Sequence, residues 1–440
     1  MDDHKKGIIL IDILVALSLA ILFVGIISES SQGAHDIFTY ASGRNQLMDK
    51  YEVGEFTEVQ QPYGNERLEQ TMTVPGGLQY NKVSALSYGN LDDAAGTPLC
   101  SVDFIDGSKA PTITAIHLPI SSSLPLTHLE VRNGVVYVSA DSATASDPDL
   151  IVFNILDVNN PTVLSSIDTG PGISAFSIAG KRIYAAAPST AGQLQVIRMD
   201  SLSSLVLEKK FKLPLPYATA TPALANSIFY NRNRIYLGTT KWDGDEFNAI
   251  DVSNPSLPMK LGGFEIGSIV NDIYVNGGLA YVASADMYQL RILSVEDPLH
   301  PTLANQFIPT GWQRQEGKVI SMFENSLDYG RTSGGYNVTL DHEAFTWATT
   351  SSTTLANPVS IDVPGGVYGV LSDRFHIFLA TRQTGKEFQI YDRSLTVNLN
   401  SLATSSYSLP VAPQSMACDN DKIYILAHGS PYIYEITFNQ

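Results

Sequence analysis

The sequence predicts a long apolar α-helix followed by an all-β propeller of four-stranded blades, with seven blades expected and an eighth, degenerate one left open. Three observations carry this reading: an apolar run at residues 8–28, a change of hydrophobic period downstream, and a tyrosine-centred pattern that returns roughly every 48 residues. A chain of 440 residues has room for both parts. With 44% hydrophobic and 16% charged residues it can bury a large core, and 33 glycines with 23 prolines mark frequent turns. The net charge of −17 makes nucleic acid a poor partner, because most of the surface repels phosphate backbones.

Residues 8–28 read IILIDILVALSLAILFVGIIS, apolar apart from two serines and Asp12. At about 1.5 Å per residue such a run spans the roughly 30 Å hydrocarbon core of a bilayer. Lys5 and Lys6 before it are expected to stay cytoplasmic, so the rest of the chain is expected outside. A carboxylate one turn into a membrane segment is costly and calls for a partner. Beyond Ser28, Ala34, Ile37, Phe38, Ala41, Met48 and Tyr51 recur at spacings that make one helical face, which predicts an amphipathic extension over 29–52.

The stretch KKGIILIDILVALSLAIL resembles the class III leader of type IV prepilins and pseudopilins, which joins basic residues, a glycine and an apolar helix with an acid at the fifth position after the cut. Ile8 stands where that family more often has Phe, and Asp12 where it more often has Glu. The resemblance implies that residues 1–7 are a leader removed after Gly7 by a prepilin peptidase, and that Ile8 becomes the new, methylated N-terminus. It also implies assembly with other pilins through this segment. Asp12 would then neutralise the α-ammonium of a neighbouring subunit, since either ion alone is expensive in the membrane.

Downstream, a turn followed by hydrophobic-Tyr-hydrophobic-small appears around Tyr137, Tyr184, Tyr236, Tyr281 and Tyr424, with weaker copies around Tyr329 and His376. Successive spacings are 47, 52, 45, 48, 47 and 48 residues. A period of this length built from short strands indicates propeller blades. After each copy come a polar loop, a second strand such as EFNAIDVS, and often an Asx-Pro turn such as DVSNPS or VEDPLHPT. The unit resembles the LVIVD repeat of surface propellers, most closely in DVSNPSLP and GGLAYVAS. The chain ends on a third strand, PYIYEITFNQ, and KAPTITAIHLPI at 109–120 is the expected fourth, closing the ring at its seam. The propeller is placed at 99–440, and 53–98 is read as a neck or a remnant of a pilin sheet.

Walker A, G-x-G-x-x-G, H-E-x-x-H, G-x-S-x-G and EF-hand patterns do not occur, so no catalytic residue, metal site or cofactor is assigned. Loops after the Tyr strands fall on one face of the ring and form a candidate binding rim of Asp141, Asp147, Asp149, Trp242, Asp243, Asp245, Asp286 and Tyr288. Their carboxylates suit a solvated rim or Ca²⁺, and Trp242 with Tyr288 suits an aromatic ledge for a sugar or peptide. Cys100 and Cys418 are either one long-range bridge or two buried thiols. The function expected is display: a minor pilin or pilus-tip subunit, anchored once in the cell membrane before assembly, that presents a propeller to an unknown surface ligand or protein and is not an enzyme. The alternatives are a pseudopilin of a secretion or DNA-uptake machine, and a membrane-tethered propeller enzyme acting on surface polysaccharide.

Overall fold

The computed structural model describes residues 69–73, 79–83 and 110–438, the last range without 143–146, 309–314, 324–325, 333–342, 349–358, 364, 374–375, 393–404 and 420. All of them lie in the second of two compact units, Glu58–Gln440. Among the described residues every regular element is a β-strand, which corrects the helix-led fold class: the described chain is all-β. The physical reason is its pattern, in which apolar residues alternate or run on for five to eight positions between turns and never keep a helical period. The leader (1–7), the apolar run (8–28) and the amphipathic stretch (29–52) lie outside the described residues, and Gly7, Ile8 and Asp12 with them. Within 53–98 the described part is a hairpin of β1 (Glu69–Thr73) and β2 (Gln79–Val83).

The remaining strands make seven four-stranded sheets, each antiparallel throughout. Strand β3 (Thr112–His117) belongs to the last of them. Blade A consists of β4 (Leu126–Arg132), β5 (Val135–Ala140), β6 (Leu150–Asn154) and β7 (Thr162–Ile167). Blade B consists of β8 (Ala175–Ala179), β9 (Arg182–Ala186), β10 (Leu194–Ser201) and β11 (Ser204–Phe211). Blade C holds β12 (Ala225–Asn231), β13 (Arg234–Thr239), β14 (Phe247–Asp251) and β15 (Met259–Phe264). Blade D holds β16 (Val270–Asn276), β17 (Leu279–Ser284), β18 (Leu290–Ser294) and β19 (Thr302–Phe307). Blade E has β20 (Glu316–Phe323), β21 (Ser326–Thr332), β22 (Glu343–Ala348) and β23 (Val359–Asp362). Blade F has β24 (Val367–Ser372), β25 (His376–Thr381), β26 (Phe388–Asp392) and β27 (Ser405–Tyr407). Blade G joins β28 (Pro413–Asp419), β29 (Lys422–Ala427) and β30 (Tyr432–Thr437) to β3, which pairs with β30 from Thr112↔Thr437 to His117↔Tyr432.

The second strand of each blade is buried on both faces because neighbouring blades cover it. Ile235 and Leu237 on one face and Tyr236 on the other are all at most 2% exposed, and burying an Ile or Leu side chain stabilises by about 1.5–3 kcal/mol. Tight turns join first and second strands. Between β4 and β5, Asn133 and Gly134 take φ of 51° and 72°, the left-handed pair that matches strand twist. The Asx-Pro turns also form, with Asn254 Oδ1 accepting from Ser256 N and Asp297 Oδ1 from Leu299 N. Two of the weaker repeat copies sit in blades but out of register with the sequence pattern. The residue that pairs as Tyr281 does is Asp328 rather than Tyr329 in blade E, and Phe378 rather than His376 in blade F.

Candidate binding site at the channel mouth

The first strands of all seven blades line a central cavity of about 410 Å³. Six of them carry the same irregularity: a bulge opposite the second strand, which leaves one residue without a ladder partner near the start of the inner strand. Those residues are Thr127, Asn226, Asn271, Lys318, Tyr368 and Gln414, and every one lines the cavity. Blade B lacks the bulge and places Ser174 just before β8. Because first strands start, and second strands end, on one face of an antiparallel blade, this ring lies at the same face as the loops after the second strands.

Blades A to D use the ring for construction. Thr127 Oγ1 donates to Ile173 O at 2.6 Å, Asn226 Nδ2 to Val270 O at 2.8 Å and Asn271 Nδ2 to Gly317 O at 2.7 Å. Ser174 Oγ reaches Ala225 O at 3.2 Å. Each pins one inner strand to the backbone leading into the next. Blades E to G break the rule. Lys318 donates no hydrogen bond among the described residues. The Tyr368 hydroxyl accepts from Thr332 Oγ1 at 3.1 Å, while the ring carries the Arg382 guanidinium with Cζ 3.6 Å from its centroid. Gln414 Oε1 accepts from Arg382 Nη2 at 2.9 Å and lies 2.8 Å from His428 Nδ1. Arginine can only donate, so the atom facing it is the amide oxygen and His428 Nδ1 is a donor as well. Burial and the nearby Arg382 charge both hold the His428 pKa below the ordinary histidine value.

The acidic loops have a different fate. Asp149, immediately before β6, is fully buried, and its Oδ2 accepts from Thr169 N at 2.7 Å, Thr169 Oγ1 at 2.8 Å and Gly170 N at 2.9 Å. Burial raises its pKa, opposed by the Thr169 hydrogen bonds and reinforced by Asp168. The same position before β14 is Glu246, whose Oε2 accepts from Ile266 N and Gly267 N at 2.8 and 2.9 Å. Before β10 it is Gln193, accepting from Leu213 N at 2.9 Å, and before β26 it is Glu387, accepting from Leu409 N at 3.0 Å. These side chains fasten the end of the outer strand to the third strand. Thus Asp149 belongs to the blade rather than to a rim for ligands.

Of the other rim residues, Asp286 is paired with Arg291, whose guanidinium also lies 5.2 Å from the Tyr288 ring centroid. Asp245 pairs with Lys260 at 2.8 Å, exposed Asp243 accepts from Thr221 N at 2.9 Å, and Asp147 accepts from Ser142 Oγ at 3.2 Å. Trp242 is only 8% exposed, packs into a core cluster and donates Nε1 to Asp245 O at 2.8 Å. It therefore offers no open ledge with half-buried Tyr288. Asp141 lines the cavity, with a pKa raised by partial burial. Among the described residues no group of three or more His, Cys, Asp or Glu is arranged to hold a metal ion. Cys418 is buried in a core cluster, and Cys100 lies outside the described residues.

Deeper in the cavity the titratable groups also serve blade contacts. Glu130 Oε1 accepts from Ile178 N at 3.3 Å and Oε2 from Arg132 at 3.1 Å, and burial raises its pKa against the pull of Arg132. Asp272 accepts from Ile273 N and Ile320 N, both at 2.8 Å, and burial pushes its pKa up to about 7. His128, set edge-on to Phe176, is held down to about 4 by burial and is neutral at neutral pH. Lys318, Tyr368, Arg382, Gln414 and His428 are absent from the residues that sequence reasoning singled out. Their signal was present only as a departure, because the polar pin of the first blades gives way to Lys, Tyr and Gln.

No family model and no curated protein matches this chain. Solved structures are similar in fold. Virginiamycin B lyase from Staphylococcus aureus is 13% identical over 75% of this chain and 100% of its own, with a TM-score of 0.53. A chain in a structure of the mitotic checkpoint complex is 14% identical over 75% of this chain and 92% of its own, with a TM-score of 0.54. At this level of identity the likeness shows a β-propeller and nothing of its chemistry.

Proposed function

We propose that the chain is a prepilin-like subunit that displays a ligand-binding propeller at the cell surface, in the manner of an adhesin-like minor pilin. The observation that carries the reading is the spacing of Lys5, Lys6, Gly7, Ile8 and Asp12 ahead of the apolar run at 8–28, in a chain whose described remainder is a propeller. In this reading a prepilin peptidase removes residues 1–7, the apolar segment holds the protein in the membrane, and Asp12 pairs with the Ile8 ammonium of another subunit. The propeller then faces outward and binds without breaking a bond. Support for binding over catalysis comes from Asp149, Glu246, Glu130 and Asp272, each of which commits a carboxylate oxygen to backbone N–H groups within the fold.

N-terminal sequencing of mature protein from cells that hold a prepilin peptidase is expected to start at Ile8. A chain that still starts at Met1 overturns the reading. Asp12→Ala is expected to leave membrane insertion intact, because removing a charge favours partition, and to abolish incorporation into filaments.

A further inference from the structure

The Arg382 guanidinium is used on one side and open on another. Nε donates to Pro413 O at 3.2 Å and Nη2 to Gln414 Oε1 at 2.9 Å, which occupies the edge shared by these two nitrogens. The Tyr368 ring, 3.6 Å from Cζ, covers one face. The end edge, formed by Nη1 and the second Nη2 hydrogen, makes no hydrogen bond among the described residues. That edge is a flat pair of donors with the spacing of two oxygens on one carboxylate or phosphate.

Charge leads to the same place. Arg132, Arg182, Arg198 and Arg291 each face a carboxylate, whereas Arg232, Arg234 and Arg382 have no ion pair among the described residues. Arg382 has only a carbonyl, an amide oxygen and a ring among the described residues, although burial already holds its pKa down. Glu387, at the far end of its loop, has both oxygens engaged, by Gly385 N at 2.9 Å and Leu409 N at 3.0 Å. Lys318 occupies the bulge position of the neighbouring blade, next to Tyr368 in the ring, and makes no close ion pair among the described residues, although its charge acts on Asp272 and Glu316. In a chain of net charge −17, the described partners of the Arg382 guanidinium are all neutral.

We propose that this sector binds an oxyanion, the carboxylate or phosphate group of a small ligand, with Arg382 as a two-pronged anchor and Lys318 as a second charge. Gln414, bonded to both Arg382 and His428, and the Tyr368 ring hold the guanidinium in orientation before the ligand arrives, which lowers the ordering cost of binding. The proposal rests on the reading of the propeller as a binding domain, and it is independent of leader processing.

The test is calorimetric titration of the full chain in detergent with inorganic phosphate and, separately, with glucuronate. Saturable binding of either probe is expected, and the probe that binds names the source of the oxyanion. Arg382→Gln is expected to weaken it about tenfold or more, and Arg382→Lys, which keeps the charge but has no fork, about as much. Arg198→Gln, an exposed substitution in blade B, is expected to change nothing. Should Arg382→Gln fail to fold by thermal melting, Lys318→Gln takes its place, with a several-fold loss expected. Absence of saturable binding to the unaltered chain, or an affinity in both Arg382 variants equal to that of the unaltered chain, overturns the proposal even if the mature chain starts at Ile8.

Discussion

The acid-rich loops of blades A and C and the basic sector of blades E to G occupy the same face of one ring, yet they treat charge in opposite ways. In blades A and C, Asp149 and Glu246 turn inward and accept backbone N–H groups from the connection after the outer strand. Near blade F, Arg382 is held by neutral acceptors and keeps an edge in reserve. Charge that satisfies buried backbone donors is part of the fold, whereas charge that finds no counter-ion is available to a ligand. Gln193 sharpens the point, since a neutral amide oxygen does in blade B what carboxylates do in A and C. At that position the acceptor atom matters more than the charge.

Four measurements test this contrast. It presupposes a closed ring, so the largest effect is expected from deleting Thr112–His117, which strips β30 of its outer neighbour and exposes an unpaired edge. Thermal unfolding of that variant should lose its cooperative transition, and an unchanged midpoint would contradict closure by β3. Next, Asp149→Ala should cost about 2–3 kcal/mol in denaturant unfolding, because the buried N–H and hydroxyl of Thr169 lose their acceptor, while Gly170 N–H keeps Asp168 Oδ1. Asp149→Asn should cost clearly less, and equal losses would mean that charge rather than the acceptor oxygen is at work.

Asp272 gives a smaller, pH-dependent effect. Its folded pKa, about 7, lies above the unfolded carboxylate value, so the folded state holds a proton that the unfolded state releases. The stabilisation is complete below the unfolded pKa and is lost as pH rises through about 7. Melting midpoints of the unaltered chain should therefore fall from pH 5 to pH 8 by more than those of Asp272→Asn. The smallest effect is expected for Asp243→Ala, an exposed carboxylate with one backbone donor, at less than about 0.5 kcal/mol. A large loss there would place part of the acidic rim among the structural carboxylates.

The repeat was legible because a blade must bury its second strand on both faces, and that demand leaves a dense apolar mark around Tyr137, Tyr184, Tyr236, Tyr281 and Tyr424. In blades E and F the mark slipped, since Asp328 and Phe378 occupy the tyrosine position, while Tyr329 lies one residue after it and His376 two before it. The acidic rim was legible as composition and misleading as chemistry. Nothing in the string WDGDEF tells that Trp242 folds into the core and Glu246 turns toward Ile266 N, while Asp243 stays exposed.

The apolar run at 8–28, the period of the blades and the strand at 112–117 that has no local partner are legible in the amino-acid order alone. Those are local patterns of hydrophobicity and turn chemistry, which act over a few residues at a time. Which charges remain available depends on how the blades pack. Lys318, Tyr368, Arg382, Gln414 and His428 are spread over 111 positions of the chain, and a bulge, a loop and a neighbouring blade gather them at one channel mouth. An ion is free or spent according to what lies within hydrogen-bond reach, about 3 Å, and closing the ring sets that distance.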